Sequence, residues 1–185
     1  QIHTLLEDSK GALSVGTANG VSRFWDGKFS RWTALEGLAG ESITQLAEDS
    51  EGDLWIGSNL GLTRLHGGIL EKISAADTRA VVKDKSGAVL VSTVGDGLLR
   101  YDGKNFSPGW DAPALPALRP YRLLLDAKGN IWAGAVGKIF RISQSDWKEF
   151  GAKEGVPGVL ITCLMETSDG AILAGSTDQI GRAHV

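Results

Sequence analysis

Few residues in this chain have the type and spacing that bond-breaking chemistry needs. The three histidines, His3, His66 and His184, are far apart, and none has a second ligand at metal spacing, so no metal site is expected. No GxSxG elbow, Walker loop or cysteine pair occurs. The GDG at Gly95 to Gly97 is too short to cradle a phosphate. Cys163 is the single cysteine, has no activating neighbour in sequence, and reads as a small buried residue of an apolar strand. What remains is a set suited to recognition: His3, Arg79 and Tyr121, then Asn19, Asn59, Asp96 and Asp178, then Trp110 and Arg119. Aromatic rings and planar polar groups around one opening would suit a sugar or another polar small molecule. No catalytic residue and no cofactor is expected.

Those residues need elements to position them. At 185 residues the chain can bury a sizeable core, and 42% hydrophobic content describes a globular protein. A formal charge of −3 argues against a nucleic-acid or anionic-membrane partner, because both call for a basic excess. The 25 glycines, without a collagen period, point to many tight turns. No apolar run reaches the roughly 20 residues that a membrane helix needs. With no initiator Met and no signal peptide at Gln1, the chain is expected to be a piece of something longer.

One unit occurs five times. "EDSEGDLWIGSNLGLTRL" from Glu48 aligns with "EDSKGALSVGTANGVSRF" from Glu7, "KDKSGAVLVSTVGDGLLRY" from Lys83, "LDAKGNIWAGAVGKIFRI" from Leu125 and "ETSDGAILAGSTDQIGRA" from Glu166. Turn glycines Gly11, Gly52, Gly87, Gly129 and Gly170 are spaced by 41, 35, 42 and 41 residues. Arginines Arg23, Arg64, Arg100, Arg141 and Arg182 are spaced by 41, 36, 41 and 41. Two independent markers therefore step together. Within a unit, Asp49 opens a type I turn closed by Gly52, and the short apolar "LWIGS" reads as a strand buried on both faces. Asp26-Gly27 and Asp102-Gly103 each mark a hairpin between strand-like runs. Four antiparallel strands per roughly 41 residues identify an all-β fold of β-propeller blades. Blades are placed at about 2–42, 43–77, 78–119 and 120–160, with a partial fifth at 161–185. An open arc of about four and a half blades, cut from a larger ring, is expected to expose an apolar blade face and invite association. The ending "GRAHV" departs from the pattern and suggests a truncation.

The stretch "ITQLAEDSEGDLWIGSNLGLTRL" resembles the two-component regulator propeller repeat, I-T-x-L-x-x-D-x-x-G-x-L-W-I-G-T-x-x-G-L-x-R. The match is best at Ile43 to Leu65 and Leu125 to Ile142, where Trp55 and Trp132 hold the tryptophan position. Ser14, Leu90 and Leu173 replace that tryptophan elsewhere, Ser92 replaces a glycine, and Thr167 replaces the turn aspartate. The resemblance implies the periplasmic or extracytoplasmic sensor region of a membrane-anchored histidine kinase or diguanylate cyclase. It also implies dimers formed through the parent protein and a carbohydrate or similar small ligand.

Comparison among the copies separates scaffold from site. The turn Asp and Gly, the strand-two glycine and the strand-three Arg recur, so they are expected to serve the blade, with the Arg paired to a turn aspartate. The second residue of the first strand instead reads His3, Thr44, Arg79, Tyr121 and Thr162, at the mouth of the central channel. The loops between strands two and three open on the same face and carry Asn19, Asn59, Asp96 and Asp178. The longest connection adds Trp110 and Arg119. A non-catalytic ligand-sensing module is the leading reading. A lyase resembling the streptogramin lyases, which "DQIGR" at Asp178 to Arg182 suggests, and a pure protein-binding scaffold are the alternatives.

Overall fold

The computed structural model describes residues 1–109, 119–143 and 146–177, with 180–183 as backbone. Blade one is β1 to β4 (Ile2–Glu7, Leu13–Thr17, Gly20–Trp25, Lys28–Trp32), and blade two is β5 to β8 (Ile43–Glu48, Leu54–Ser58, Gly61–His66, Ile69–Ser74). Blade three is β9 to β12 (Thr78–Lys83, Val89–Thr93, Gly97–Tyr101, Phe106–Pro108), and blade four is β13 to β16 (Arg122–Leu125, Ile131–Gly134, Ile139–Ile142, Trp147–Phe150). A fifth sheet holds β17 to β19 (Ile161–Glu166, Ile172–Ser176, Ile180–Ala183). Every sheet is an antiparallel meander, and the first strands β1, β5, β9, β13 and β17 pack one against the next as the hub of a β-propeller. The only helical element among the described residues is a single 3₁₀ turn at Ala152–Glu154.

The blades are sandwiched, which explains the unbroken apolar runs. Every residue of β6 and β10 is buried. Leu46 and Ala47 are both buried although they are adjacent, because one faces each neighbouring blade. Ile43 and Leu46 pack with Val21 of blade one, while Trp55 and Ala47 pack with Val81, Val89 and Val91 of blade three. Blade one presents an uncovered apolar surface that includes Ile2, Leu5 and Phe29.

The recurring strand-two glycine marks where blades touch most closely. A Cβ at Gly16 would lie 2.6 Å from Cγ2 of Ile43, and one at Gly134 would lie 2.7 Å from Cγ2 of Ile161. Those isoleucines open the first strand of the following blade, so the missing side chain sets the spacing between blades. Ser92 departs from the rule by sending its hydroxyl into the contact, where Oγ donates to the Pro120 carbonyl at 2.7 Å.

The turns join each blade's strands through one shared geometry. The closing glycine N–H donates to the first residue's carbonyl in all five copies, with Gly11, Gly52, Gly87, Gly129 and Gly170 at φ between 81° and 91°. The aspartate side chain then collects the remaining donors. Asp49 Oδ1 accepts from the N–H groups of Glu51 and Asp53, while Oδ2 accepts from the Trp55 indole at 2.8 Å. Asp126 repeats this with Asn130 and Trp132. Three strand-three arginines pair with turn aspartates as expected, Arg23 with Asp8, Arg64 with Asp49 at 3.9 Å and Arg100 with Asp84, although Arg64 is held more closely by Asp53. Asp26-Gly27 forms a two-residue turn with both residues at positive φ. Asp102-Gly103 instead opens a four-residue loop, because Asp102 Oδ1 captures the N–H groups of Lys104 and Asn105 and Tyr101 pairs with Phe106.

Two outcomes follow from this packing. Gly134→Ala is expected to destabilise the fold by about 1–3 kcal/mol through overpacking against Ile161, whereas Gly95→Ala, which meets nothing within 4 Å, is neutral in the same urea titration. Burial alone would raise Asp8, Asp49 and Asp126, but N–H donors outweigh it and hold all three below the ordinary aspartate value, helped by Arg23 at Asp8, by Trp55 and Arg64 at Asp49, and by Trp132 at Asp126. A depressed folded pKa gives stability that is complete above the unfolded value, about pH 4, and is lost as pH falls through the lower folded value. Thermal unfolding followed from pH 7 to pH 3 should therefore show Tm dropping at the acid end, with a shallower drop in Asp126→Asn.

Candidate functional site

The channel-mouth residues occupy a special backbone position. In β1, β5, β9 and β17 the register shifts at residue two of the strand, leaving His3, Thr44, Arg79 and Thr162 as the extra residue of a β-bulge. A bulge re-aims its extra side chain. Three of the four reach the following blade. His3 Nδ1 donates to the Ile43 carbonyl at 2.9 Å, and Thr44 Oγ1 donates to the Thr78 carbonyl at 2.6 Å. The Arg79 guanidinium lies over the Tyr121 ring, 4.1 Å from its centroid. Thr162 Oγ1 donates within its own blade to the Gly175 carbonyl at 3.3 Å. The varying position is thus engaged in blade-to-blade contact, and Arg79 with Tyr121 forms a half-buried cation–aromatic pair at the hub.

Sequence reasoning missed the next residue along. Gln45 crosses from blade two to blade four, where Nε2 donates to the Leu123 carbonyl at 2.8 Å and Oε1 accepts the Leu123 N–H at 3.3 Å. It thereby satisfies the free edge of β13. Arg122 Nη1 donates to the Tyr121 carbonyl at 2.7 Å, and burial lowers the Arg122 pKa from its ordinary value, partly offset by Cys163. Cys163 is exposed, contrary to its expected burial, because it shares with the exposed Met165 the face of β17 turned away from blade four, while Leu164 between them packs toward that blade. The signal was available: Thr4, Gln45, Ala80, Arg122 and Cys163 vary as much as the position before them.

The loop residues are dispersed. Asn19 is exposed, its carbonyl accepts from Arg31 Nη2 at 3.2 Å, and it lines a hollow of about 470 Å³ with Arg31, Thr33 and Glu36. Asn59 Oδ1 accepts the Ser42 N–H at 3.3 Å, which ties its loop to the inter-blade connection. The Asp96 N–H donates to Thr93 Oγ1 at 3.0 Å, and its side chain is exposed, as is that of Arg119. Trp110, Asp178 and His184 lie outside the described residues.

Histidine spacing argues against a metal site, yet folding brings one histidine to two carboxylates. His66 Nδ1 lies 2.8 Å from Asp53 Oδ2, and ligand atoms of Glu51, Asp53 and His66 all lie within 4.8 Å of one another. Arg64 already serves the two acids, with Nε donating to Asp53 at 2.7 Å and Nη2 to Glu51 at 2.8 Å. Burial lowers the Arg64 pKa, but Asp53, Asp49 and Glu51 outweigh it and raise the value overall. The cluster reads as an ion-pair network that braces strand three against the turn.

Gln45→Ala would leave the Leu123 N–H and carbonyl without their partner. Hydrogen exchange at the Leu123 amide is expected to accelerate about 10-fold or more, the equivalent of roughly 1.4 kcal/mol, with little change on the outer strands.

Residues 37–60 match the family model described as two component regulator propeller. No curated protein matches the chain. Among solved structures, the extracellular domain of BT4673 from B. thetaiotaomicron is similar over 98% of this chain and 29% of its own length, at 21% identity and a TM-score of 0.76. A second structure of that domain, assigned to a hybrid two component system, aligns over the whole chain and again 29% of its own length, at 20% identity and a TM-score of 0.77. A catalytically inactive virginiamycin B lyase from Staphylococcus aureus with quinupristin aligns over 100% of this chain and 70% of its own, at 18% identity and a TM-score of 0.74. The chain therefore spans less than a third of the BT4673 domain. It is a β-propeller segment that carries a two-component regulator propeller repeat.

Proposed function

We propose that this propeller is the non-catalytic, ligand-sensing part of a signal-transduction receptor that lies outside the cytoplasm, belongs to a membrane-anchored parent and pairs in dimers through it. The observation that carries this reading is the two-component regulator propeller repeat at residues 37–60, supported by likeness to extracellular domains of such systems. A carbohydrate or other polar small molecule is the ligand class that the hub chemistry favours. Arg79 over Tyr121 offers an aromatic ring beside a planar donor, and Arg122 adds a second guanidinium that donates to the Tyr121 carbonyl. The reading also assigns His3, Arg119, Asn19, Asn59 and Asp96 to the ligand from their places in the repeat.

Thermal shift against a panel of oligosaccharides tests the reading. A ligand present at about 100 times its Kd adds roughly 2.7 kcal/mol, a rise of several degrees in Tm. Arg79→Gln should reduce that shift while lowering the unliganded Tm by only about 1–4 °C, since a half-buried cation–aromatic pair contributes about 0.5–1 kcal/mol.

The lyase reading has one observation of its own, the fit to virginiamycin B lyase. A histidine base would need a carboxylate to orient it, and His66 beside Asp53 is the pair that qualifies among the described residues. It sits at the end of β7, away from the hub, in the Arg64 network. Ring opening of a streptogramin B lactone that His66→Ala abolishes would replace sensing by catalysis.

A further inference from the structure

Charge is shared unevenly among the first strands of the five sheets. β1, β5 and β17 end in Glu7, Glu48 and Glu166, and none of these three strands holds an arginine or lysine. β9 and β13 instead hold Arg79, Lys83 and Arg122 and no carboxylate. The hub strands of blades three and four are therefore basic, in a chain whose formal charge is −3. Two of these cations converge on one residue. The Arg79 guanidinium lies 4.1 Å from the Tyr121 ring centroid, and Arg122 Nη1 donates to the Tyr121 carbonyl at 2.7 Å.

Neither contact supplies a negative charge. Arg23, Arg64 and Arg100 each lie against a carboxylate, of Asp8, Asp53 and Asp84. Among the described residues no carboxylate forms an ion pair with Arg79 or Arg122, and Asp77, two residues before Arg79, is no exception. Arg79, Tyr121 and Arg122 are all half-buried. Burying a guanidinium without a counter-charge is unfavourable, and burial holds the Arg122 pKa below its ordinary value. An anion seated beside the two arginines would offset that cost. The donors for it are at hand, since Arg79 makes no hydrogen bond among the described residues and Arg122 uses Nη1 alone. No nitrogen of either is both buried and unbonded, so the remaining N–H groups reach solvent. The edge of a guanidinium presents paired N–H groups that match a carboxylate or a phosphate.

We infer that Arg79 and Arg122, gathered at Tyr121 on the basic side of the hub, bind the anionic group of a small molecule, a carboxylate or a phosphate. The ring and the carbonyl of Tyr121 hold the two guanidiniums in place, and their free N–H groups donate to the anion. A neutral molecule of the same shape accepts hydrogen bonds there but leaves both charges uncompensated. This rests on the ligand-sensing reading, keeps its site at the hub and adds the charge that the ligand carries.

Isothermal titration of the chain with malonate, succinate, glutarate and inorganic phosphate tests it, with succinamide as the neutral counterpart of succinate. About 0.15 M NaCl screens diffuse attraction beyond roughly 8 Å. At least one anion should bind with a Kd of about 10 mM or tighter, and succinamide at least about tenfold more weakly than that anion. Binding of the dicarboxylates alone, or of phosphate alone, upholds the site and names its group. Arg79→Gln and Arg122→Gln should each weaken binding about tenfold or more, the loss of one charge-assisted contact. Arg122→Lys, which keeps the charge, retains most of it, and Lys28→Gln, which removes a positive charge from the exposed β4, leaves it unchanged. Circular dichroism and Tm confirm that each variant is folded, and Arg79→Gln carries the test if Arg122→Gln is not. Anion binding that survives both glutamine variants overturns the site, and succinamide binding as tight as succinate overturns the anionic class. No binding of any anion overturns the inference. If a neutral oligosaccharide still binds and Arg79→Gln weakens it, sensing at the hub stands without the charge.

Discussion

The close approach of one blade to the next at the strand-two glycine is the contact on which the rest of the structure depends. A four-stranded meander by itself has two apolar faces and cannot bury either. Stacking against neighbours solves this, and at Gly16 and Gly134 the absent Cβ lets an isoleucine of the next blade enter. Once that distance is set, Trp55, Ala47 and Val81 can share one core, and Ile43 can share another with Val21 and Leu46. Ser92 shows that the contact tolerates a small side chain when its hydroxyl finds a carbonyl in the neighbouring blade.

A second layer of constraint fixes each blade internally. The turn aspartate is a hub of donors: backbone N–H groups, an indole N–H where a tryptophan is present, and a strand-three arginine. These bonds tie the strand one–two turn to strands two and three, so a blade behaves as one piece when its neighbours press on it. Where the partners thin out, as in blade three with Leu90 in the tryptophan position and Ala88 for the second acid, the arginine is left with donors to spare. Departure from the repeat is thus a source of chemistry as well as a loss of stabilising contact.

The same logic separates the two ends of the propeller. At the hub end, the bulge turns the varying residue toward the next blade, so polarity there is largely consumed in holding the arc together. Gln45 extends this by crossing from blade two to blade four. At the turn end, seams are closed by differing groups, Glu48 on Ser9, Ser50 over Gly87, Lys85 over Gly129 and Glu166 on Ala127.

The blade period, the Asp–Gly turns, the pairing of recurring arginines with turn aspartates and the two-sided burial of "LWIGS" were legible in the residues alone, because the pattern that carries them recurs from copy to copy. What only the tertiary structure decided depends on residues far apart in the chain. The sequence places Gln45 in a strand, but its partner at Leu123 lies 78 residues away in another blade. Cys163 looks like a core residue until its register is known, and one step of register moves a strand residue from the blade face that is covered to the one that is not. The Trp55–Tyr101 contact likewise joins two copies side by side, a meeting that spacing along the chain does not reveal.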